Sequence, residues 1–167
     1  MSMTNCCTES NEFKVKDTKE VKSVFERMGF YAHLNKGLNT LYVIGEEETY
    51  FCDTAEVVLS LEPIETETGL TNLVGVTTDC FEGEVEDMLL DYNLKMEDVM
   101  VVPIIEYIQD QLIEGSAFVV TSVGFESRSG GNSSPFGDVY FITKNHVEFY
   151  SLTDYINNKA KEFGVEV

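Results

Sequence analysis

Val139-Tyr140-Phe141-Ile142-Thr143, then Lys144-Asn145-His146, then Val147-Glu148-Phe149-Tyr150 is the stretch on which the fold turns. Two short runs rich in aromatic and β-branched residues flank a three-residue polar break, the pattern of an antiparallel hairpin. Directly behind it, 152–163 reads as a helix stopped by Gly164. A hairpin feeding a helix predicts an α+β fold, with an antiparallel sheet or sheets and flanking helices.

Working back from that hairpin, 118–125 reads as a strand and 127–135, Ser- and Gly-rich, as a mobile loop. Pro103 suits the first turn of a helix over 103–114, with Gly115 just past its end. The runs 99–102 and 73–77 read as strands, and 83–92 as a helix with Val85, Met88, Leu89 and Tyr92 inward. Nearer the N-terminus, Asp17-Thr18-Lys19-Glu20 is a capping box opening a helix through Met28. Val21, Val24, Phe25 and Met28 form its apolar stripe, and Gly29 stops it. Strands are expected at 30–34, 41–44 and 49–52. A second capping box, Asp53-Thr54-Ala55-Glu56, predicts a short helix through Leu61. The segment 62–70, with Pro63, spaced acids and Gly69, reads as a loop. The polar stretch 1–12 is expected to be a disordered tail, and 13–167 a single α+β domain.

Two blocks look alike. Aligned without gaps, Tyr42 falls on Tyr140, Ile44 on Ile142, Phe51 on Phe149 and Glu56 on Asp154. With the preceding helices they suggest a helix-strand-strand-strand-helix unit used twice, over about 17–61 and 103–164, with an acidic connector at 62–102. The competing account is that a hairpin feeding a capped helix is common and the matches are coincidental.

Composition narrows the function classes. The chain has 167 residues, enough to bury a sizeable core without disulfide staples. No apolar run approaches the roughly 20 residues of a membrane-spanning helix. Met1-Ser2-Met3-Thr4 begins no basic region followed by an apolar stretch, so the chain reads as cytoplasmic. Cys6, Cys7, Cys52 and Cys80 have no staple-framework or metal-ligand spacing, and reduced thiols are expected. No cofactor motif is present: Gly130-Gly131 lacks a downstream Gly-Lys-Ser/Thr. Glu82-Gly83-Glu84 lacks the ligand spacing of a calcium loop. For catalysis the one specific reading is Cys80 as a nucleophile with His33 or His146, and an acidic setting would raise that thiol's pKa.

The charge is the main clue. Net charge is −19, and Leu61 to Val120 carries 14 acidic residues against Lys95 alone, a balance of −13. Glu84, Asp87 and Asp91 stand at helical steps, as do Glu106, Asp110 and Glu114, with Glu82, Glu86, Glu97 and Asp98 between or beside them. Such a surface repels nucleic acid and anionic membrane and attracts basic protein. The expected function is a non-catalytic binding protein that uses these ten residues against a basic partner. Its sharpest form is an inhibitor that imitates nucleic acid before a nucleic-acid-acting protein, of the kind a phage or mobile element turns on host defence. A solubilising acidic face accounts for the same residues. A structural, immunity-type or homodimeric interaction protein is the alternative from another class, and a Cys80 enzyme the third.

Overall fold

The fold is α+β, and the described residues form antiparallel sheets of six and three strands with four helices. The computed structural model describes residues 4–46, 49–78, 84–127 and 133–164. In chain order the elements are β1 (Thr4–Ser10), α1 (Thr18–Arg27), β2 (Tyr31–Asn35), β3 (Thr40–Gly45), β4 (Glu56–Thr66), β5 (Gly69–Thr77) and α2 (Glu84–Asp91). After a 3-10 turn at Met96–Asp98 come β6 (Val99–Pro103), α3 (Ile104–Gln111), β7 (Ala117–Ser127), β8 (Ser133–Thr143), β9 (His146–Ser151) and α4 (Leu152–Phe163). The large sheet runs β2-β3-β1-β7-β8-β9 and the small one β5-β4-β6.

The expected hairpin is β8–β9, paired from Asp138↔Ser151 to Thr143↔His146. α4 comes directly after it and ends on Gly164 in the left-handed region at φ 67°. Strand alternation sends Phe118, Val120 and Ile142 into the main core, with Leu41, Val43 and Ala32 from β3 and β2. Against them pack Val21, Val24 and Phe25 of α1 and Ile104, Tyr107 and Ile108 of α3. Phe13, Phe25, Phe51 and Phe118 fill the centre with ring contacts of 4.8–6.0 Å. The small sheet is buried on both faces: Val57 and Leu73 join this core, while Val58 and Val74 meet Leu89 of α2 in a second one. At Gly75 of β5, a Cβ would lie 2.3 Å from Met88 Sδ, so the glycine permits the approach of α2. α4 lies on the other, outer face of the large sheet. Gly137 alternates with core-facing Tyr140 and Ile142, and Leu152 Cβ comes within 3.0 Å of where its Cβ would be.

Several expectations are corrected. The polar stretch expected to be a disordered tail holds β1, a central strand between β3 and β7. It pairs with β7 from Thr4↔Glu126 to Ser10↔Val120. Backbone pairing on both sides orders it whatever its side-chain polarity. Its buried Thr8 is satisfied by the Thr49 carbonyl at 2.7 Å and by Ser122 Oγ at 2.9 Å. The helix expected at 53–61 is replaced from Glu56 onward by strand β4, because Val57 and Val58 are β-branched and 57–59 is apolar on both faces. The loop expected at 62–70 is the end of β4 and the start of β5. Pro63 is tolerated where the β4–β5 register shifts, and beyond Ser60, where β6 stops pairing. Residues 49–52 lie outside any strand. The helix expected over 103–114 ends at Gln111, since Leu112 is buried in extended backbone bridged to Val15. Without a strand at 49–52 and a helix after it, the first of the two expected repeat units does not match the second. The expected loop at 127–135 falls largely on 128–132, outside the described residues.

Candidate functional site

The structure divides the ten expected acids into groups. Glu82 lies outside the described residues, and Glu84 opens α2. Glu86, Asp87 and Asp91 are exposed on α2, whose other side (Val85, Met88, Leu89 and Tyr92) packs on the small sheet. The expected inward stripe of this helix is the observed one. Glu97 stands 3.7 Å from Lys95. Asp98 Oδ2 accepts the Lys95 N–H at 2.9 Å and closes the 3-10 turn, a structural task. Glu106 is exposed on α3, Asp110 is paired with Lys16 at 3.0 Å, and Glu114 lies beyond the end of α3. Because α2 covers one face of the small sheet and α3 belongs to the core on its other face, the ten residues do not form one row. What they do form is a patch on α2.

That patch has little internal compensation. Among the described residues no lysine or arginine makes an ion pair with Glu86, Asp87 or Asp91. Two cations, Lys19 and Arg27, line the cleft that adjoins Asp91 and hydrogen-bond to backbone, Lys19 Nζ donating to the Thr68 carbonyl and Arg27 to the Val74 carbonyl, each at 2.9 Å. A cleft of about 660 Å³ opens between α1, the β4–β5 hairpin and the end of α2, with Glu65, Glu67 and Asp91 on its walls. In sequence the hairpin acids read as loop residues and not as part of a site. Their approach to Asp91 depends on the β4–β5 pairing, which Pro63 and Gly69 conceal.

A second cleft, of about 480 Å³, lies where the two sheets meet. The connector from β3 to β4 crosses the inner face of β8 there, and Phe51 packs on Tyr140 at 5.2 Å between ring centroids. Thr8 holds the connector's start through the Thr49 carbonyl, and Ser122 Oγ accepts the Phe51 N–H at 3.5 Å. Asp53 and Asp138 face this cleft from its two walls. Burial first, and the Asp53 charge second, raise the Asp138 carboxyl above its ordinary value. Burial, and then a hydrogen bond to Asp53, raise the Tyr140 phenol. Sequence reasoning singles out neither aspartate. Asp53 reads as a helix cap, and Asp138 shows only as an acid inside an otherwise apolar strand.

The histidines sit on the two edge strands of the large sheet, His33 on β2 and His146 on β9. Five inter-strand steps separate those edges, roughly 24 Å. His33 stacks on Tyr42 at 4.8 Å, and His146 Nε2 lies 2.7 Å from Glu148 Oε1. The hydroxyl of Tyr150 also donates to Glu148, and these two hydrogen bonds lower the Glu148 carboxyl. Cys80, the candidate nucleophile, lies outside the described residues. Among the described residues no three His, Cys, Asp or Glu side chains cluster to hold a metal, and no helix is long and apolar enough to cross a membrane. Compared with protein-family models, curated proteins and solved structures, the chain matches none.

Proposed function

We propose that this chain is a non-catalytic interaction protein whose acidic surface engages a basic partner protein. The observation that carries this reading is the exposed face of α2. Glu86, Asp87 and Asp91 point away from the core, no described cation pairs with them, and Glu65 and Glu67 stand beside Asp91 across the adjoining cleft. Like charges at helical steps cost only tenths of a kcal/mol, which the fold tolerates and a complementary partner relieves. An inhibitor that occupies the basic groove of a nucleic-acid-acting protein is the specific form of this reading.

The test is affinity capture from lysate at about 0.05 M and 0.5 M salt, with three baits. These are the native chain, the Glu86→Gln/Asp87→Asn/Asp91→Asn variant, and a charge-matched Glu9→Gln/Glu46→Gln/Glu56→Gln variant. A basic protein retained by the native and charge-matched baits, lost from the α2 variant and released by salt supports the proposal. Equal retention by all three baits overturns it. Displacement of the captured protein by short duplex DNA supports the mimicry form, and indifference to DNA rejects that form alone.

A second reading rests on exposed aromatics. Phe149, Tyr150 and Tyr155 at the β9–α4 end are each at least half exposed, and β9 is an edge strand. A structural or homodimeric interface there would bind with little salt dependence. Concentration-dependent sedimentation unchanged by salt, and abolished by Tyr155→Ser, would favour it.

A further inference from the structure

The cleft between the sheets has a character distinct from the α2 face. Among the described residues, its titratable lining groups are all acidic or phenolic or thiol, with no lysine, arginine or histidine among them. Its floor and sides are apolar: Phe51 is buried, and Met28 and Tyr140 are packed against the main core. Two carboxylates come from separate elements, Asp53 from the connector and Asp138 from β8. Thr8 and Ser122 fix the connector, and pairing with β7 and β9 fixes β8. The volume of about 480 Å³ falls in the range of small-ligand sites.

These features select a ligand class by elimination. An anion is repelled by both carboxylates. Calcium takes six to eight oxygen ligands, and among the described residues no three acidic, His or Cys side chains are grouped so as to hold a metal ion. An organic cation fits on both counts. An aliphatic stem gains from burial on Phe51 and Met28, and the positive head gains from two carboxylates and from the ring of Tyr140. A guanidinium is planar and favours one carboxylate bidentately. An ammonium is compact, with three donors that reach two carboxylates on different walls. We propose that this cleft binds an alkylammonium group, its stem on Met28, Phe51 and Tyr140 and its head between Asp53 and Asp138.

A free alkylamine and a lysine side chain of another protein share this chemistry, and the experiment separates them. Binding of n-butylammonium chloride and of the peptide acetyl-Gly-Lys-Gly-amide is measured by calorimetry and thermal shift, against sodium chloride at equal ionic strength. The proteins are the native chain, Asp138→Asn, Asp53→Asn, and the Glu86→Gln/Asp87→Asn/Asp91→Asn variant. The native chain and the α2 variant are expected to bind alike. Both aspartate variants are expected to bind at least about tenfold more weakly, the loss of one charge-assisted hydrogen bond. Asp138→Asn also removes a half-buried charge, so it is expected to fold at least as stably as the native chain, and a lost response cannot be put down to unfolding. Tighter binding of the peptide assigns the cleft to a protein lysine, and tighter binding of butylammonium assigns it to a free amine. A response equal in all four proteins, or matched by sodium chloride, is general screening and overturns the proposal. Because the α2 variant is expected to keep this binding, the cleft and the acidic face fail or stand separately.

Discussion

Asp138 gives the sharpest residue-level prediction. Its carboxyl is held above the ordinary 3.8 by burial first and by Asp53 second, so the folded chain keeps this proton more tightly than the unfolded one. Between 3.8 and the raised value the folded state therefore binds more protons, and stability falls as pH rises through that window. Asp138→Asn removes the penalty. Its melting temperature is expected to exceed that of the native chain at pH 7, and the gap to close as pH drops toward 3. A gap that is constant with pH, or reversed, would show that Asp138 is not strained by its charge. Asp53, its neighbour, shows how far single residues are legible in sequence. Asp17-Thr18-Lys19-Glu20 and Asp53-Thr54-Ala55-Glu56 share one pattern, yet only the first opens a helix. Asp17 does cap, accepting the N–H groups of Lys19 and Glu20 at 3.0 and 2.9 Å. The residues C-terminal to each box decide the outcome. Val21, Val24 and Phe25 recur at helical spacing, whereas Val57 and Val58 are adjacent and enter opposite cores. That both faces of 57–59 would be buried depends on β5, β6 and α2, which a local pattern does not contain.

At the scale of elements, β1 and α2 depend on contacts of different kinds. β1 is illegible in sequence because its composition is polar and its order comes from backbone pairing with strands more than 30 and 100 residues away. Deleting residues 1–10 would expose two facing edges, of β3 and β7, and remove the Thr8 hydroxyl from the Thr49 carbonyl and from Ser122. The truncated chain is expected to lose its cooperative thermal transition and aggregate. A retained sharp melt in circular dichroism would show that β1 is dispensable. α2, by contrast, is legible from its apolar spacing, but its seat is not: Gly75 reads only as one residue in a strand. Gly75→Val would drive a side chain into Met88 and is expected to destabilise by about 1–3 kcal/mol, the range of core overpacking. Because the obstructing atoms are the flexible end of a methionine, adding Met88→Ala should recover part of that loss in urea unfolding. A double variant no better than the single one would place the strain elsewhere.

For the whole molecule, the sequence shows how much charge there is and in which third of the chain it lies, but not how it is arranged in space. Acids at helical spacing on α2 and α3 look continuous when read along the chain. The intervening β6 completes the small sheet and leaves the two helices associated with its opposite faces. The patch on α2 thus stands without α3, and it sets stability against binding. Asp87 and Asp91 are one helical turn apart and alike in charge. Asp87→Lys replaces that repulsion with an attraction, each worth about 0.2–0.5 kcal/mol, so the variant is expected to gain about 0.5 kcal/mol in urea unfolding at low salt. The gain should fade by 0.5 M sodium chloride, where the screening length is a few ångströms, while the native chain itself becomes more stable as its net charge of −19 is screened. The same substitution puts a cation in the centre of the face offered to a basic partner, so capture of that partner should weaken by tenfold or more. A solubilising surface predicts the stability gain without the loss of binding. A surface selected for a partner predicts both, and a variant that is more stable and still binds fully would decide for solubility.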